Sequence, residues 1–493
     1  MQKKQLTLVI VSLLVVVLSV SLAYFTAQII GKGKNVTINS ADLKIIFTDS
    51  DGSISGSNIE PGKWDVTKTF TIENKSSETY KYNIVIQDLI NTFVTTGYLQ
   101  YKITSTNGGY NMAEFKDVPK SSVATDTILA YSASIDVGVT QTYTVEFIYK
   151  NDESVDQSED MGKTLSGKLF ITEGTEGPVT LLGQLLADKS TVLTRTDFSK
   201  VLTDNNTNTL YTSTEDSKTV YYFAGNPTDN WVKFGKNASN QDLYWRIIRT
   251  NSDGSIRLLY HGTSTTATDA YIGTSAFNSS YNNIAYVSYM YGNLGSVANA
   301  RENTTDSTIK TTIDKWYKDN LNTNYGKYLS TTAVYCNDRS TSDSTYFGAR
   351  TRLYTNKTPS YDCTATEDKF TVDTSTGNGK LTYPIALMTS DEIAFAGGVF
   401  ETNASTWYYH NSTKGSSTGS TGWWLLSPHD WDGSSASVDY VYGSSGSGRL
   451  SCITVFVAHG VRPVISLKSC TLYSTGNGTY EKPYEIVETS NGC

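Results

Sequence analysis

The chain has 493 residues, a net charge of −8 and 18% charged residues, a lower share than the ~25% usual for soluble domains. The length predicts two or three domains, and a hydrophobic content of 38% argues against a disordered chain. Lys and Arg form no continuous stripe, which argues against a nucleic-acid partner. Abundant Ser, Thr, Asn, Gly and Tyr favour strands and turns.

Residues 1–30 have the pattern of an export segment. Lys3 and Lys4 precede a run from Gln5 to Gly31 that carries no charge and is long enough to cross a bilayer as a helix. Basic flanks stay on the cytoplasmic side, so residues from 36 onward are predicted to lie outside the cell. Two interpretations stay open: an uncleaved single-pass anchor, and a signal peptide cleaved near Ala23 or Ala27 so that the protein is secreted.

Residues 36–172 are predicted to form a β-sandwich. The stretches VTKTFTIEN and YKYNIVIQDL alternate apolar and polar residues at period two, as half-buried strands do. KSSE, between them, is predicted to be a hairpin loop. ADLKIIFTD, QTYTVEFIYK and SGKLFITE are further predicted strands, and several short strands at this spacing are typical of a sandwich.

The same region resembles a known family of surface proteins. Over about residues 20–172, LAYFTA, then VTINSADLKIIFTD and IEPGKWDVTKTFTIEN, resemble the camelysin and TasA-type surface proteins of Gram-positive bacteria. In that family an export signal ending in Ala-Tyr-Phe precedes a β-sandwich. The resemblance implies a sandwich outside the cell and a role as a fibre-forming subunit.

Residues 173–190 differ in composition from what precedes them and are predicted to be a linker with a short helix. Pro178 suits the start of a helix because its fixed backbone angle matches the first turn. One side of that helix would carry four leucines, Leu181, Leu182, Leu185 and Leu186.

From residue 191 to 493 the pattern mixes hairpins with short helices, so the predicted fold class is mainly β with an α+β second half. Two apolar runs, LYWRIIRT and SIRLLYHG, flank Asp253-Gly254, which is a strong hairpin signal. DSTIKTTIDKWYKDNL has apolar residues at helical spacing. MTSDEIAFAGG carries a capping box, with Thr389 as the cap and Glu392 reaching back, and the helix is predicted to end at Gly397.

Residues 421–467 contain a polar segment between two apolar anchors. Trp423 and Trp424 are costly to leave in water and are predicted to pack on the core at one end. The run from Val461 to Val464 is predicted to fix the other end. WWLLS and ASVDYVYG are predicted strands, and SCITVFVAHGVRPVISL is long enough to contain two more. The residues between the anchors would then form a surface on a fixed frame.

This half of the chain resembles a second family. WRIIRTNSDGSIRLL, YPIALMTSDEIAFAGG, WWLLSP and GVRPVISL, in that order, resemble bacterial surface domains with a C-type-lectin-like fold. The resemblance covers about residues 215–490 and includes the formylglycine-generating-enzyme type and the variable proteins of diversity-generating retroelements. It implies that the residues between the two anchors contact a ligand, namely His429, Asp430, Trp431, Asp432, Asp439, Tyr440, Tyr442, Arg449, Phe456 and His459.

The composition of residues 425–467 is compatible with diversification. Adenine-targeted mutagenesis of such variable proteins cannot produce Lys, Glu, Gln or Met, and this segment contains none of the four. Trp431 departs from that pattern unless it belongs to the frame. A surface rich in Ser and Gly that simply lacks long side chains explains the same gap, so both interpretations stay open.

The sequence indicates no cofactor and no metal site, and it contains no nucleophile motif such as Gly-x-Ser-x-Gly, so the chain is not predicted to be an enzyme. Disulfides form outside the cell. Cys336 with Cys363 would close an insertion loop, and Cys470 with Cys493 would hold the C-terminal tail, although the spacing alone does not fix the pairing. Cys452 would be left over, without the close cysteine partner that the related oxidase chemistry needs.

Two functions follow from these patterns. The first is a cell-surface ligand-binding protein, adhesin or receptor-like, that displays a lectin-like domain on a sandwich stalk and binds an extracellular protein or glycan. The alternative is a structural fibre or matrix subunit of the cell surface. Membrane contact would run through the N-terminal helix, and no nucleic-acid partner is expected.

Overall fold

A computed structural model describes residues 36–38, 41–47, 52–57, 59–95, 97–175, 177–267, 270–341, 345–404, 422–443, 448–489 and 492–493. The predicted export segment, residues 1–30, lies outside the described residues. Within the described ranges, no helix has the length and apolar character that a membrane span requires. The chain is mainly β, and it divides into two units between Gly177 and Pro178.

The first unit contains two antiparallel sheets. One has the strand order β1-β2-β4-β9-β6-β7, and the other has the order β3-β10-β5-β8. The strands are β1 Val36–Ile38, β2 Ala41–Phe47, β3 Ser53–Ser57, β4 Asp65–Asn74, β5 Tyr80–Asn91, β6 Leu99–Ser105, β7 Lys116–Asp117, β8 Ser121–Ile135, β9 Thr140–Tyr149 and β10 Thr164–Glu173. A short 3₁₀ turn, Ser158–Asp160, precedes β10.

Alternating side chains explain why β4, β6 and β9 form half-buried strands. In β9 every second side chain is buried, from Gln141 to Tyr149. Buried side chains from both sheets, among them Phe70, Ile84 and Phe147, form one hydrophobic cluster. The strands predicted from period-two patterns in this region are therefore confirmed.

The hairpin predicted at KSSE, residues 75–78, is wrong. β4 pairs with β2 and β9, whereas β5 pairs with β10 and β8, so this loop connects the two sheets. Asn74 shapes the crossing, because its Nδ2 donates to the carbonyl oxygens of Glu78 (2.8 Å) and Ile135 (3.1 Å). A period of two shows that one face of a strand is buried, but it does not show to which sheet the strand belongs.

Within its described residues, the second unit contains two larger sheets and two small strand pairs. The first of the larger sheets has the strand order β11-β12-β13-β15-β14-β29-β28, and three more strands extend it, since β16 pairs with β15, β27 with β16 and β22 with β27. The second has the order β17-β26-β23-β24-β25. The strands are β11 Thr191–Thr194, β12 Thr209–Glu215, β13 Lys218–Tyr222, β14 Trp231–Lys236, β15 Asp242–Thr250, β16 Ile256–Gly262, β17 Thr274–Ser275, β18 Met290–Tyr291, β19 Thr305–Asp306, β20 Tyr335–Cys336, β21 Lys369–Phe370, β22 Ile385–Ala386, β23 Trp423–Trp431, β24 Ala436–Val441, β25 Leu450–Thr454, β26 His459–Gly460, β27 Val464–Leu467, β28 Tyr473–Thr475 and β29 Tyr484–Ile486.

Short helices pack among these strands. They are α1 Leu181–Asp188, α2 Val297–Ala300, α3 Thr308–Asn320, α4 Asn322–Tyr325, α5 Gly348–Arg350 and α6 Ser390–Ala396, with a π-helical turn at Thr351–Asn356 and 3₁₀ turns at Ile284–Val287, Gly326–Tyr328 and Thr366–Asp368. The helix predicted after Pro178 is confirmed as α1. Thr180 caps it, and Leu181 and Leu185 are buried in the core of the second unit.

The two strongest local predictions in this unit are confirmed. β15 and β16 form an antiparallel hairpin whose turn contains Gly254 with φ of 79°. Helix α6 begins with a complete capping box, because the side chain of Thr389 accepts from Glu392 N and the side chain of Glu392 accepts from Thr389 N. The helix ends at Gly397, whose φ of 121° is a conformation that side chains with a Cβ avoid.

Glu392 also carries a role that the capping pattern did not predict. Its Oε1 accepts hydrogen bonds from Arg249 Nε (2.9 Å) and Arg257 Nη1 (2.6 Å), and all three side chains are buried. Glu215 accepts from Arg249 Nη2 at 2.8 Å. Burial alone would raise the pKa of Glu392, but the two guanidinium groups lower it. The helix start is therefore tied to the centre of the larger sheet by buried charges.

The two predicted disulfides are present. Cys336 is bonded to Cys363, with the Cα atoms 5.7 Å apart, and Cys470 is bonded to Cys493, with the Cα atoms 5.3 Å apart. Cys452 is the remaining cysteine, and it is a free, partly buried thiol in β25.

Candidate functional site

Both predicted anchors of residues 421–467 are buried. Trp423 and Trp424 have no exposed surface, and neither do Val461, Arg462 and Val464. Trp424 Nε1 donates to the carbonyl oxygen of Ser275 at 2.8 Å. The predicted packing of this segment at both ends is therefore confirmed.

The two anchors also contact each other, which the sequence did not reveal. The guanidinium of Arg462 lies 4.8 Å from the ring centre of Trp423. The backbone N–H of Gly460 donates to the carbonyl oxygen of Gly422 at 2.8 Å. Buried contacts therefore hold the two ends of this segment next to each other.

Strand β23 is irregular beside Asp439 of β24. Trp424 pairs with Tyr440 and Pro428 with Val438, so three residues of β23 face the single residue Asp439. The register shifts again between Pro428 and Asp430, which leaves His429 as an extra residue. Bulges of this kind redirect a side chain out of the regular alternation. Here the side chain that the bulge redirects is the imidazole of His429.

His429 and Asp439 form a buried pair. His429 Nδ1 lies 2.6 Å from Asp439 Oδ1, and the other carboxylate oxygen of Asp439 accepts from Ser390 Oγ at 2.6 Å. His429 is 8% exposed and Asp439 is fully buried. The His429 ring also hydrogen-bonds the side chain of Cys452 on β25. A thiol, an imidazole and a carboxylate therefore lie in one connected row.

The electrostatics of this row favour a protonated imidazole. Burial alone would lower the pKa of His429, but the carboxylate of Asp439 and the contact with Cys452 raise it to about 10. Burial raises the pKa of Asp439, while the contacts with His429 and Ser390 oppose that rise. The His429–Asp439 pair consequently retains a proton at neutral pH.

This pair predicts a pH dependence of stability. The folded-state pKa of about 10 lies above the ordinary histidine value of 6.5, so the stabilisation is complete below about pH 6.5 and is lost as the pH rises through about 10. We expect the free energy of unfolding to fall over that interval by on the order of a few kcal/mol more in the wild type than in His429→Gln.

Urea unfolding at a series of pH values checks this, with tryptophan fluorescence as the signal because seven of the eight tryptophans lie in residues 178–493. Equal pH dependence in the wild type and His429→Gln would show that the histidine does not bind the extra proton.

Aromatic and charged side chains surround the His429 ring. The guanidinium of Arg350 stacks between two tyrosine rings, 3.9 Å from the centre of Tyr346 and 4.4 Å from that of Tyr354. Tyr346 and Phe400 lie against His429, with ring centres 6.3 Å and 5.6 Å away. We call Tyr346, Arg350, Tyr354 and Phe400 the rim.

A charged pair, Glu401 and Arg449, lies at Ser451, the residue that precedes Cys452. Glu401 accepts from Ser451 Oγ at 2.6 Å and lies 3.5 Å from Arg449 Nη1. Arg449 also lies over the ring of Tyr442, 4.8 Å from its centre. Polar and aromatic groups therefore lie around Ser451, on the face of the sheet opposite the Cys452 thiol.

Three of the ten predicted ligand residues do not present an outward side chain. Asp439 is fully buried, and His429 and Tyr440 are 8% and 5% exposed. Asp439 points inward because Ser390 and His429 take both of its oxygens. Tyr440 packs against His459, with ring centres 4.9 Å apart. For these three residues the expectation of a free, ligand-facing side chain is not met.

Other predicted residues keep more exposure. Phe456 is 50% exposed and Asp432 lies at an exposed turn, where its carboxylate accepts from the backbone N–H groups of Ser434 (2.8 Å) and Ser435 (2.7 Å). The remaining predicted residues are partly buried: Asp430, Trp431, Tyr442, Arg449 and His459. The ring of His459 lies 5.2 Å from Trp424, and burial lowers its pKa.

The predicted residues do not form one continuous face. Asp439 and Cys452 are cross-strand partners, and so are their neighbours Tyr440 and Ser451. Since side chains alternate along a strand, the first pair lies on one face of the sheet and the second pair on the other. Sequence reasoning treated the whole segment as a single surface and so could not separate these faces.

Sequence reasoning also did not assign the other members of the site. Ser390, Glu401 and the rim come from residues 346–401, outside the two anchors. Cys452 was set apart because no second cysteine lies near it, whereas its partner in the structure is a histidine. The cysteine left over from the two predicted disulfides was the sequence signal that pointed to it.

Comparisons with known proteins add no argument about activity. No family model matches the chain, and no curated protein matches it. One solved structure that matches is AvmM, described as catalysing macrocyclization in alchivemycin A biosynthesis. It is 10% identical over 26% of this chain and 92% of its own, with a TM-score of 0.14. A likeness this distant supports no conclusion about fold or function.

Proposed function

We propose that this chain is a cell-surface ligand-binding protein, adhesin or receptor-like, exported by its N-terminal segment and either anchored in the membrane or secreted. In this proposal the first unit is a camelysin-like β-sandwich stalk. The second unit is a C-type-lectin-like domain that recognises a protein or glycan outside the cell. The mainly β structure of the chain and its two disulfides are compatible with an extracellular protein.

The observation that carries the proposal is a pair of exposed aromatic rings. Phe456 is 50% exposed and Tyr281 is 45% exposed, and their ring centres lie 4.9 Å apart. An exposed phenylalanine ring is costly in water, and aromatic side chains are enriched where proteins contact ligands. We call Phe456 and Tyr281 the aromatic pair.

The aromatic pair joins Phe456, which is one of the predicted ligand residues, to Tyr281, which lies next to the predicted ligand segment. The backbone N–H of Ala436 donates to the carbonyl oxygen of Tyr281 at 2.9 Å, and Ala436 pairs with Trp431 across the turn that contains Asp432. Aromatic area and a polar turn are therefore adjacent. Rigid aromatic side chains supply contact area at low entropic cost, and nearby Ser and Asp supply adaptable hydrogen bonds.

The joined anchors explain how such a surface can vary without loss of the fold. Because Trp423 and Arg462 hold the ends of the segment, outward side chains between them contribute little to the core. Diversification of residues 421–467 remains part of the proposal. A near-repeat of the DNA that encodes them, beside a reverse transcriptase gene, would support it.

Binding to protein and glycan arrays tests the proposal. We expect the wild-type chain to bind at least one ligand class and the double variant Phe456→Ser with Tyr281→Ser to lose about tenfold or more in affinity, which is about 1.4 kcal/mol. Leu193→Ser is the matched control, because Leu193 is also 45% exposed but lies in β11 of the other large sheet. Wild-type affinity in the double variant would refute this binding surface.

A further inference from the structure

The row formed by Cys452, His429 and Asp439 has no use in a surface that only binds. Cys452 is a partly exposed thiol, and the other four cysteines are paired with one another. Asp439 is its cross-strand partner, so the thiol and the carboxylate leave the sheet on the same face. The bulge in β23 brings His429 to both of them.

We propose that Cys452 is the nucleophile of an acyl-transfer site, with His429 as the imidazolium that stabilises the thiolate and protonates the leaving group, and Asp439 as the residue that orients the ring. A nucleophile, a proton-transfer residue in contact with it and a third group that holds that residue are the parts such a site needs. Asp439 Oδ1 takes His429 Nδ1, so Nε2 is the ring nitrogen left for the thiol.

Buried hydrogen bonds through Ser390 hold Asp439 in position. Ser390, at the first position of helix α6, donates to Asp439 Oδ2 at 2.6 Å, and the backbone N–H of Ser390 donates to Ser427 Oγ at 2.9 Å. Asp439 therefore cannot rotate away without breaking buried hydrogen bonds. A held carboxylate in turn keeps one ring orientation of His429, which is the role of the third residue in such rows.

The groups around the thiol suit an acyl donor with an apolar or aromatic portion. Cys452 keeps part of its surface exposed, while Tyr346 and Phe400 lie against the histidine ring. The substrate class is a carbonyl compound with a leaving group, that is, an ester, a thioester or an amide. This proposal does not depend on the ligand-binding function, because a chain that binds no array ligand can still carry a reactive thiol.

The reaction is balanced and involves no change of oxidation state. The Cys452 thiol releases its proton to water, the sulfur bonds to the carbonyl carbon, and the bond from that carbon to the leaving group breaks. The leaving group takes the proton from His429, which leaves a thioester on Cys452. Water then attacks the thioester with His429 accepting its proton, and the sulfur leaves as the thiolate, which takes back a proton from water. The products are a carboxylic acid and the restored site.

The test uses p-nitrophenyl acetate as the acyl donor and the purified chain with its disulfides intact. We expect release of p-nitrophenol and the mass of one added acetyl group on Cys452. Cys452→Ala should lack the adduct, and His429→Gln should form it roughly a hundredfold more slowly. Wild-type acetylation no faster than that of the free peptide of residues 448–456 would overturn the proposal, and so would an unchanged rate in a folded His429→Gln variant.

Asp439→Asn separates orientation from a purely structural role. We expect slower acetylation together with a His429 pKa, followed by NMR, that moves from about 10 toward the ordinary 6.5. The titratable groups around that ring are Asp439, Cys452 and Tyr346, with Asp391 behind Asp439. An unchanged acetylation rate in Asp439→Asn would remove its orienting role.

If the variants do not fold, wild-type protein alone still decides the matter. Cys452 should react with iodoacetamide at neutral pH about tenfold or more faster than the free peptide of residues 448–456. Equal rates would show that the row does not activate the thiol.

Discussion

Replacement of Glu392 by Gln is expected to destabilise the second unit by roughly 3–5 kcal/mol. The carboxylate of Glu392 is buried and accepts from Arg249 and Arg257, which are themselves buried. An amide keeps the shape but removes the charge, so Arg257 loses its carboxylate partner and Arg249 keeps only Glu215. Removal of one member of a buried ion network costs far more than removal of an exposed pair. The same substitution weakens the capping box of helix α6.

Denaturant unfolding followed by tryptophan fluorescence measures this effect. Asp319→Asn is the matched control, because Asp319 pairs with Lys315 at 2.6 Å on an exposed helix face and loses the same charge. The control should remain within about 1 kcal/mol of the wild type. Similar losses in both variants would mean that the Arg–Glu network is not what holds helix α6 to the sheet.

Replacement of Trp424 by Ala is expected to cost roughly 3–5 kcal/mol as well. Trp424 is fully buried, packs against Phe277 and His459, and donates its indole N–H to Ser275. Truncation leaves a large cavity under β23 and an unsatisfied carbonyl oxygen. Because β23 carries His429, the loss should also disorder the row that includes Cys452.

The urea midpoint and the reactivity of Cys452 toward iodoacetamide measure both consequences of Trp424→Ala. Phe456→Ala is the matched control, since it removes an aromatic ring of the same unit that is half exposed. We expect the control to change stability by no more than about 0.5 kcal/mol. A Trp424→Ala variant as stable as the control would contradict the role of the buried tryptophan as an anchor.

Local chemistry explains what the sequence predicted well. The cap of helix α6 depends on Thr389 and Glu392, three residues apart, and the hairpin of β15 and β16 depends on a turn around Asp253 and Gly254. Buried tryptophans follow from the cost of leaving large apolar rings in water. Each of these features is decided by residues close together in the chain or by one side chain.

Features that depend on distant residues could not be predicted in this way. The loop at residues 75–78 was assigned to a hairpin because both flanking strands alternate, yet sheet membership is decided by partners such as β9 and β10. The candidate site could not be predicted for the same reason. Asp439 and His429 meet through two irregularities in β23, and the sequence WWLLSPHDW does not show where a strand will bulge.

The predicted ligand residues of the C-terminal segment show what the sequence can and cannot reveal. The two anchors predict that all of these residues are exposed to solvent, and Phe456 and Asp432 are exposed. Asp439 and Tyr440 lie on opposite faces of the sheet and neither is exposed, because Asp439 is hydrogen-bonded to His429 and Tyr440 packs against His459. Knowledge of the register between β24 and β25 was needed to tell these residues apart.

The central claim is that the two buried anchors, Trp423 with Trp424 and the run from Val461 to Val464, form a frame that holds both ends of the segment. Side chains between the anchors can then change without loss of the fold. The most direct measurement is the free energy of unfolding of a triple variant, Tyr442→Ser, Arg449→Ser and Phe456→Ser. We predict a loss of no more than about 1–2 kcal/mol, because all three side chains are partly or largely exposed. A loss as large as that of Trp424→Ala, roughly 3 kcal/mol or more, would contradict the claim, because these residues would then belong to the frame.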